Sequence, residues 1–228
     1  MMNRLPFGCL SLILIAGLIA LIPLFLANAV LTALAKLGLS PATSLLVAVG
    51  IFLGGLVNIP VRRIPREETI EHYPLGIFGV GRFFPRMVTQ QSFTIIAVNL
   101  GGCVIPCLLV AYELSRIASA GGSLLLATAA ASAINIAACW RLARPVPNVG
   151  IALPAFIPAL LAAACALLFA RQMAPPVAFT AGVLGPLVGA DLLHLRDLGK
   201  LTTGMGSIGG AGTFDGIVLS GLVATLIS

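Results

Sequence analysis

The chain has 228 residues, 59% of them hydrophobic and only 9% charged, with a mean hydropathy of +1.11. A soluble domain of this size has no use for so much apolar surface, whereas a bundle of membrane helices does. The net charge of +6 would suggest nucleic acid in a soluble protein. Here the cations cluster in links between apolar runs, the pattern of positive-inside loops, so the expected partner is the lipid bilayer and not nucleic acid.

Taken in order, Arg4 precedes an apolar run from Leu5 to about Ala35, long enough to cross about 30 Å of hydrocarbon. Ala27-Asn28-Ala29 has the form of a signal-peptidase site, but the apolar run continues past it, which favours a retained span. Pro41 opens a second span ending near Asn58-Ile59-Pro60, and within it Gly50 and Gly54 form a GxxxG pair suited to close helix approach. The polar segment 61–91 carries Arg62, Arg63, Arg66, Arg82 and Arg86 against Glu67, Glu68 and Glu71. Its Pro and Gly content forbids one helix and predicts a turn-rich interfacial loop with at most a short hairpin.

A third span is expected over about Ser92–Leu114, interrupted by Gly101-Gly102 and Pro106. A fourth covers about Ser123–Trp140, with Ala127, Ala131, Asn135 and Cys139 forming a small-residue face. After the link Arg144-Pro145-Val146-Pro147-Asn148 come a fifth span (about Ile151–Phe169), a sixth (about Val177–Leu195, containing Pro186) and a seventh (about Ser207–Ile227). The five cysteines, Cys9, Cys103, Cys107, Cys139 and Cys165, all lie in apolar segments. They read as small buried thiols, and no disulfide framework, metal or cofactor is expected. The fold class is therefore an all-α polytopic membrane helix bundle of about seven spans in one domain, some kinked or broken by Pro and Gly. Counting basic residues in alternate links gives ten on one side against three on the other. That ratio places the N-terminus in the cytoplasm and the C-terminus outside.

Two aspartates stand out against this background. Asp191 lies near the end of the sixth span and Asp215 within the seventh; an ionisable residue in a span costs about 2.5–3.5 kcal/mol on insertion scales and marks a functional site by default. Pro186 removes a backbone bond to Gly182 and predicts a kink just before Asp191. Gly204, Gly206, Gly209, Gly210 and Gly212 make the start of the seventh span a poor helix. Irregular backbone at membrane depth is tolerated only where it packs in protein or lines a wet cavity. Two carboxyls a few ångströms apart cannot both ionise cheaply, so one keeps its proton. The ionised one can then activate water while its protonated partner polarises a peptide carbonyl. His194, three residues after Asp191, is a candidate partner or interfacial residue. Asn58, Asn99 and Asn135 are buried amides that favour interhelical bonding over ligand binding.

Most of the chain resembles a family of prokaryotic multi-pass membrane proteins known only as a domain of unknown function. The resemblance is carried by Asn58-Ile59-Pro60, Asn99-Leu100-Gly101-Gly102, Arg144-Pro145-Val146-Pro147, Gly189-Ala190-Asp191-Leu192-Leu193 and the run from Ser207 to Gly216. It implies a cytoplasmic, that is inner, membrane location and no particular activity. The last two spans also resemble the intramembrane aspartyl proteases of the presenilin, signal-peptide-peptidase and prepilin-peptidase type. Those enzymes place one Asp on each of two spans, the second closing a Gly-x-Gly-Asp motif. Here Gly210-Ala211-Gly212 is followed by Thr213 and Phe214 before Asp215, two residues more than the motif.

The leading expectation is a peptidase acting on a membrane-embedded protein substrate through Asp191 and Asp215. Gly209, Gly210, Gly212, Thr213, Gly216, His194 and Asn99 are its supporting residues. The alternatives are a small-solute transporter coupled to a cation or proton, with a discontinuous last helix, and a non-catalytic membrane scaffold. The sequence sets no oligomeric state.

Overall fold

The computed structural model describes residues 7–72, 86–146, 150–154, 156–195, 205–210 and 216–228. Among the described residues, an α-helix occupies each of the seven expected apolar segments: α1 (Phe7–Lys36), α2 (Pro41–Gly54), α3 (Ile105–Ala120), α4 (Gly122–Leu142), α5 (Ile157–Phe169), α6 (Ala174–Leu184) and α7 (Gly216–Ile227). Two carry π-helical extensions: π1 (Leu100–Val104) leads into α3, and π2 (Gly185–Leu192) prolongs α6. Four helical stretches, Leu14–Lys36, Leu100–Ala120, Gly122–Leu142 and Arg171–Leu192, are long and apolar enough to cross a bilayer. The protein is a polytopic membrane helix bundle. The remaining helices are short; α7, with 12 residues, rises only about 18 Å, less than the hydrocarbon thickness.

Local chemistry explains several boundaries. Ser40 caps α2, its hydroxyl accepting the Thr43 N–H, and Pro41 supplies a preset φ in the first turn. The sixth span changes from α to π at Gly185, beside Pro186, where the sequence predicts the helix to be disturbed.

The polar segment differs most from expectation. Its described residues are not a turn-rich loop, because β1 (Asn58–His72) and β2 (Arg86–Asn99) pair as a long antiparallel hairpin with a bulge between Pro60 and Arg62. β1 is an edge strand, where Pro60 and Pro65 are tolerated. The third span accordingly becomes helical only at Leu100. Phe93-Thr94-Ile95-Ile96 is as apolar as a helix, but its β-branched residues favour a strand. A short strand, β5 (Met205–Ile208), joins β2 in parallel, so the order is β1-β2-β5. β3 (Arg144–Val146) and β4 (Gly150–Ala152) make a separate small hairpin before α5.

Two cores hold the bundle. One gathers Leu34, Ile51, Ile96, Leu109, Phe179 and Ile217 from six elements. The other is built of alanines: Ala159, Ala162, Ala163 and Ala166 of α5 pack on Ala178 and Ala181 of α6 and Ala224 of α7. With lipid outside, helices gain by van der Waals contact and not by escaping water, so small residues that let backbones approach dominate. The anticipated face of α4 is buried at Ala131, Asn135 and Cys139, against π2. Gly54 sits against the backbone of Gly101, where an added Cβ would lie 2.9 Å from the Gly101 nitrogen.

Candidate functional site

The base of the hairpin, the two π segments and the turn after β5 converge at one end of the bundle. Asn99, the last residue of β2, is fully buried and caps π1. Its Oδ1 accepts the Gly102 N–H at 2.7 Å, while its Nδ2 donates to Gly55 O at 2.8 Å and Asn58 Oδ1 at 3.0 Å. Asn58 Oδ1 accepts a second bond, from Ser207 Oγ of β5, at 2.6 Å. Two amides and one hydroxyl thus tie the end of α2, both hairpin strands, π1 and β5 together. Both donors of Asn99 are used and its Oδ1 accepts one bond, which gives it a structural role, as expected for a membrane amide.

Beyond β5 the chain turns sharply, with Gly210 N–H donating to Ser207 O at 3.3 Å. Gly209 has φ +67, a conformation that glycine adopts without strain. It also presses against the backbone of Gly102, where its own Cβ would lie 2.7 Å from the Gly102 carbonyl carbon. A side chain at either position would force π1 and the turn apart. Gly209 N–H donates to Asp191 Oδ2 at 3.2 Å, so the half-buried aspartate on π2 is connected through Gly209 and Gly102 to the Asn99 network.

The structure therefore brings Asp191, Gly209, Gly210 and Asn99 into one continuous arrangement. His194 is not part of it. Its Nδ1 lies 3.1 Å from the carbonyl oxygens of both Gly189 and Ala190, so the ring closes the end of π2 and does not partner Asp191. Gly216 begins α7, with open space where its Cβ would be. Gly212, Thr213 and Asp215 lie outside the described residues, and with them the separation of the two carboxyls.

The sequence reading passed over one buried carboxylate. Glu113 of α3 is fully buried; its Oε2 accepts from Arg116 at 2.8 Å, and its Oε1 has no partner. Arg116 also donates to Leu37 O and lies over the Tyr112 ring, 5.6 Å from its centroid, so the cluster locks the α1–α2 turn to α3. The available signal was an i,i+3 Glu–Arg pair inside an apolar run.

A family model described as "Protein of unknown function (DUF1614)" matches residues 51–227. The chain belongs to this family. The DUF1614 region runs from α2 through α7 and contains every residue of the Asn99–Asp191 arrangement, whereas α1 precedes it. No curated protein and no solved structure matches the chain, so for this DUF1614 protein the site must be read from its own chemistry.

Proposed function

We propose that the protein is an intramembrane aspartyl peptidase of a prokaryotic cytoplasmic membrane, with Asp191 and Asp215 as its acid–base pair. Its N-terminus would lie in the cytoplasm and its C-terminus outside. The observation that carries this reading is Asp191 itself: a half-buried carboxylate at the break of a membrane helix, held by the N–H of a left-handed glycine. Such a residue is expensive in a span unless it has a task. Asp215 immediately precedes α7, and α7 packs against both α6 and π2, the element that carries Asp191.

In the proposed reaction the ionised carboxyl takes a proton from water and the water oxygen bonds to the peptide carbonyl carbon. The protonated carboxyl gives its proton to the carbonyl oxygen. Collapse of the resulting diol breaks the C–N bond: the amine leaves with a proton returned from the first carboxyl, and a diol hydroxyl gives its proton back to the second.

The meeting of a disturbed helix at Gly102 with the irregular turn at Gly209 favours a second reading, transport of a small solute coupled to a cation or proton. Asp191, Asp215 and Asn99, whose Oδ1 keeps a second lone pair, would then be the coupling groups. Substitution separates the readings. In membranes carrying a tagged single-span reporter, Asp191→Asn and Asp215→Asn should each abolish a wild-type cleavage product while the bundle stays folded, since the amide keeps an acceptor for Gly209. If the wild type yields no product and the same changes abolish ion-dependent uptake into proteoliposomes, transport replaces proteolysis. Function retained in both variants removes both readings and leaves a scaffold.

A further inference from the structure

One face of the sheet is unlike the rest of the bundle surface. Side chains alternate along strands, and the register pairs Arg62 with Ile96 and Val98 with Ile208, so these four residues and Ile64 share a side. With Leu195, just beyond π2, they enclose an open cleft of about 620 Å³; Arg63, paired with Ile95 and so on the other side of the sheet, borders it from the edge strand β1. The floor is hydrocarbon, because Ile96 and Ile208 are buried and Ile64, Val98 and Leu195 pack against the same core. Both arginines at the rim are exposed. The chain also fixes the depth of the cleft. Val98 stands two residues before the span that begins at Leu100, and Leu195 three residues after the span that ends at Leu192. That is the level of lipid headgroups.

We propose that this cleft binds an anionic phospholipid, its phosphate on Arg62 and within the field of Arg63 on the edge strand, its glycerol and first methylenes on the apolar floor. A free anion would make no use of the floor. An acidic peptide would be held by main-chain pairing along the open edge of β1 and not on the face of the sheet. The volume suits a bound headgroup region, and a pair of juxtamembrane arginines supplies the charge complement. The site stands whether or not Asp191 is catalytic.

The test is native mass spectrometry of the full chain in a neutral detergent, titrated with phosphatidylglycerol, phosphatidylcholine or inorganic phosphate. Each juxtamembrane arginine contributes about fivefold to anionic-lipid affinity. Arg62→Gln with Arg63→Gln should therefore lower phosphatidylglycerol retention about thirty-fold and leave phosphatidylcholine unchanged. The Arg62→Lys/Arg63→Lys pair should keep most of the binding, and Arg141→Gln with Arg144→Gln, on exposed arginines elsewhere, should lose little. Retention of phosphatidylglycerol by the Gln pair overturns the proposal. An equal loss in the Arg141/Arg144 pair overturns it in favour of diffuse charge. Inorganic phosphate binding as tightly as the lipid makes it a simple anion site. Displacement of the lipid by a soluble acidic peptide more readily than by short-chain phosphatidylglycerol makes it a peptide site.

Discussion

Replacing Asn99 by alanine should do more damage than any change to a charged residue of the candidate site. The substitution removes three hydrogen bonds and strands the Gly55 carbonyl and the Gly102 N–H, both in buried surroundings. Polar bonds between membrane elements average about 0.6 kcal/mol each, which sets a floor near 2 kcal/mol. Two unsatisfied buried backbone groups at about 1–3 kcal/mol apiece set a ceiling near 6 kcal/mol. Asn99→Asp tests the geometry further. It keeps the acceptor for Gly102 but sets oxygen against the Gly55 carbonyl and Asn58 Oδ1, so it should fall in the same range despite its near-identical shape. Asp191→Asn, by contrast, should stay within about 1 kcal/mol of the wild type. The assay is equilibrium unfolding by SDS titration in mixed micelles, followed by circular dichroism. A loss below about 1 kcal/mol in Asn99→Ala, or an Asn99→Asp variant as stable as the wild type, would refute the structural role assigned to this amide.

Three further outcomes are expected. Gly102→Ala sets a Cβ 2.9 Å from the Gly209 carbonyl carbon and should cost about 1–3 kcal/mol in the same titration; alanine at Gly122, where nothing lies within 4 Å, should change stability by about 0.5 kcal/mol or less. Arg116→Leu leaves fully buried Glu113 with neither oxygen partnered and should cost about 3–5 kcal/mol. Glu113→Gln frees only the half-exposed arginine and should cost clearly less, so equal losses would contradict the pairing. Lys36 Nζ donates to Thr225 O at 3.3 Å and Leu226 O at 2.8 Å, capping α7 from α1. Lys36→Met should speed amide exchange in the last turn of α7 without altering exchange in α5.

Much of the bundle was legible because a membrane leaves few options for an apolar run. The seven segments, the Gly50–Gly54 approach, the buried stripe through Ala131, Asn135 and Cys139 and the disturbance at Pro186 all follow from length, residue size and backbone chemistry. The strand from Phe93 to Asn99 was hidden, since seven apolar or β-branched residues before a glycine pair read equally well as the start of a span. That misreading also concealed the role of Asn99, which follows from its position between a strand end and two glycines. Asp191 was visible as a charge out of place. Its bond to Gly209 was not, because it depends on a parallel pairing between segments far apart in the chain. Glu113 escaped because its neutralising arginine lies one turn away, near the end of the span.

That parallel pairing has a consequence for biogenesis. β2 is synthesised well before its partner; the paired Val98 and Ile208 are 110 positions apart. At about 5–20 residues per second, one edge of the hairpin stays without this partner for about 5–20 s of translation. Four more helices must enter the membrane in that interval. An open strand edge is a template for pairing with foreign chains, so the slow step in making this protein falls at its hairpin, and a nascent chain arrested before residue 205 should be the form most in need of a chaperone.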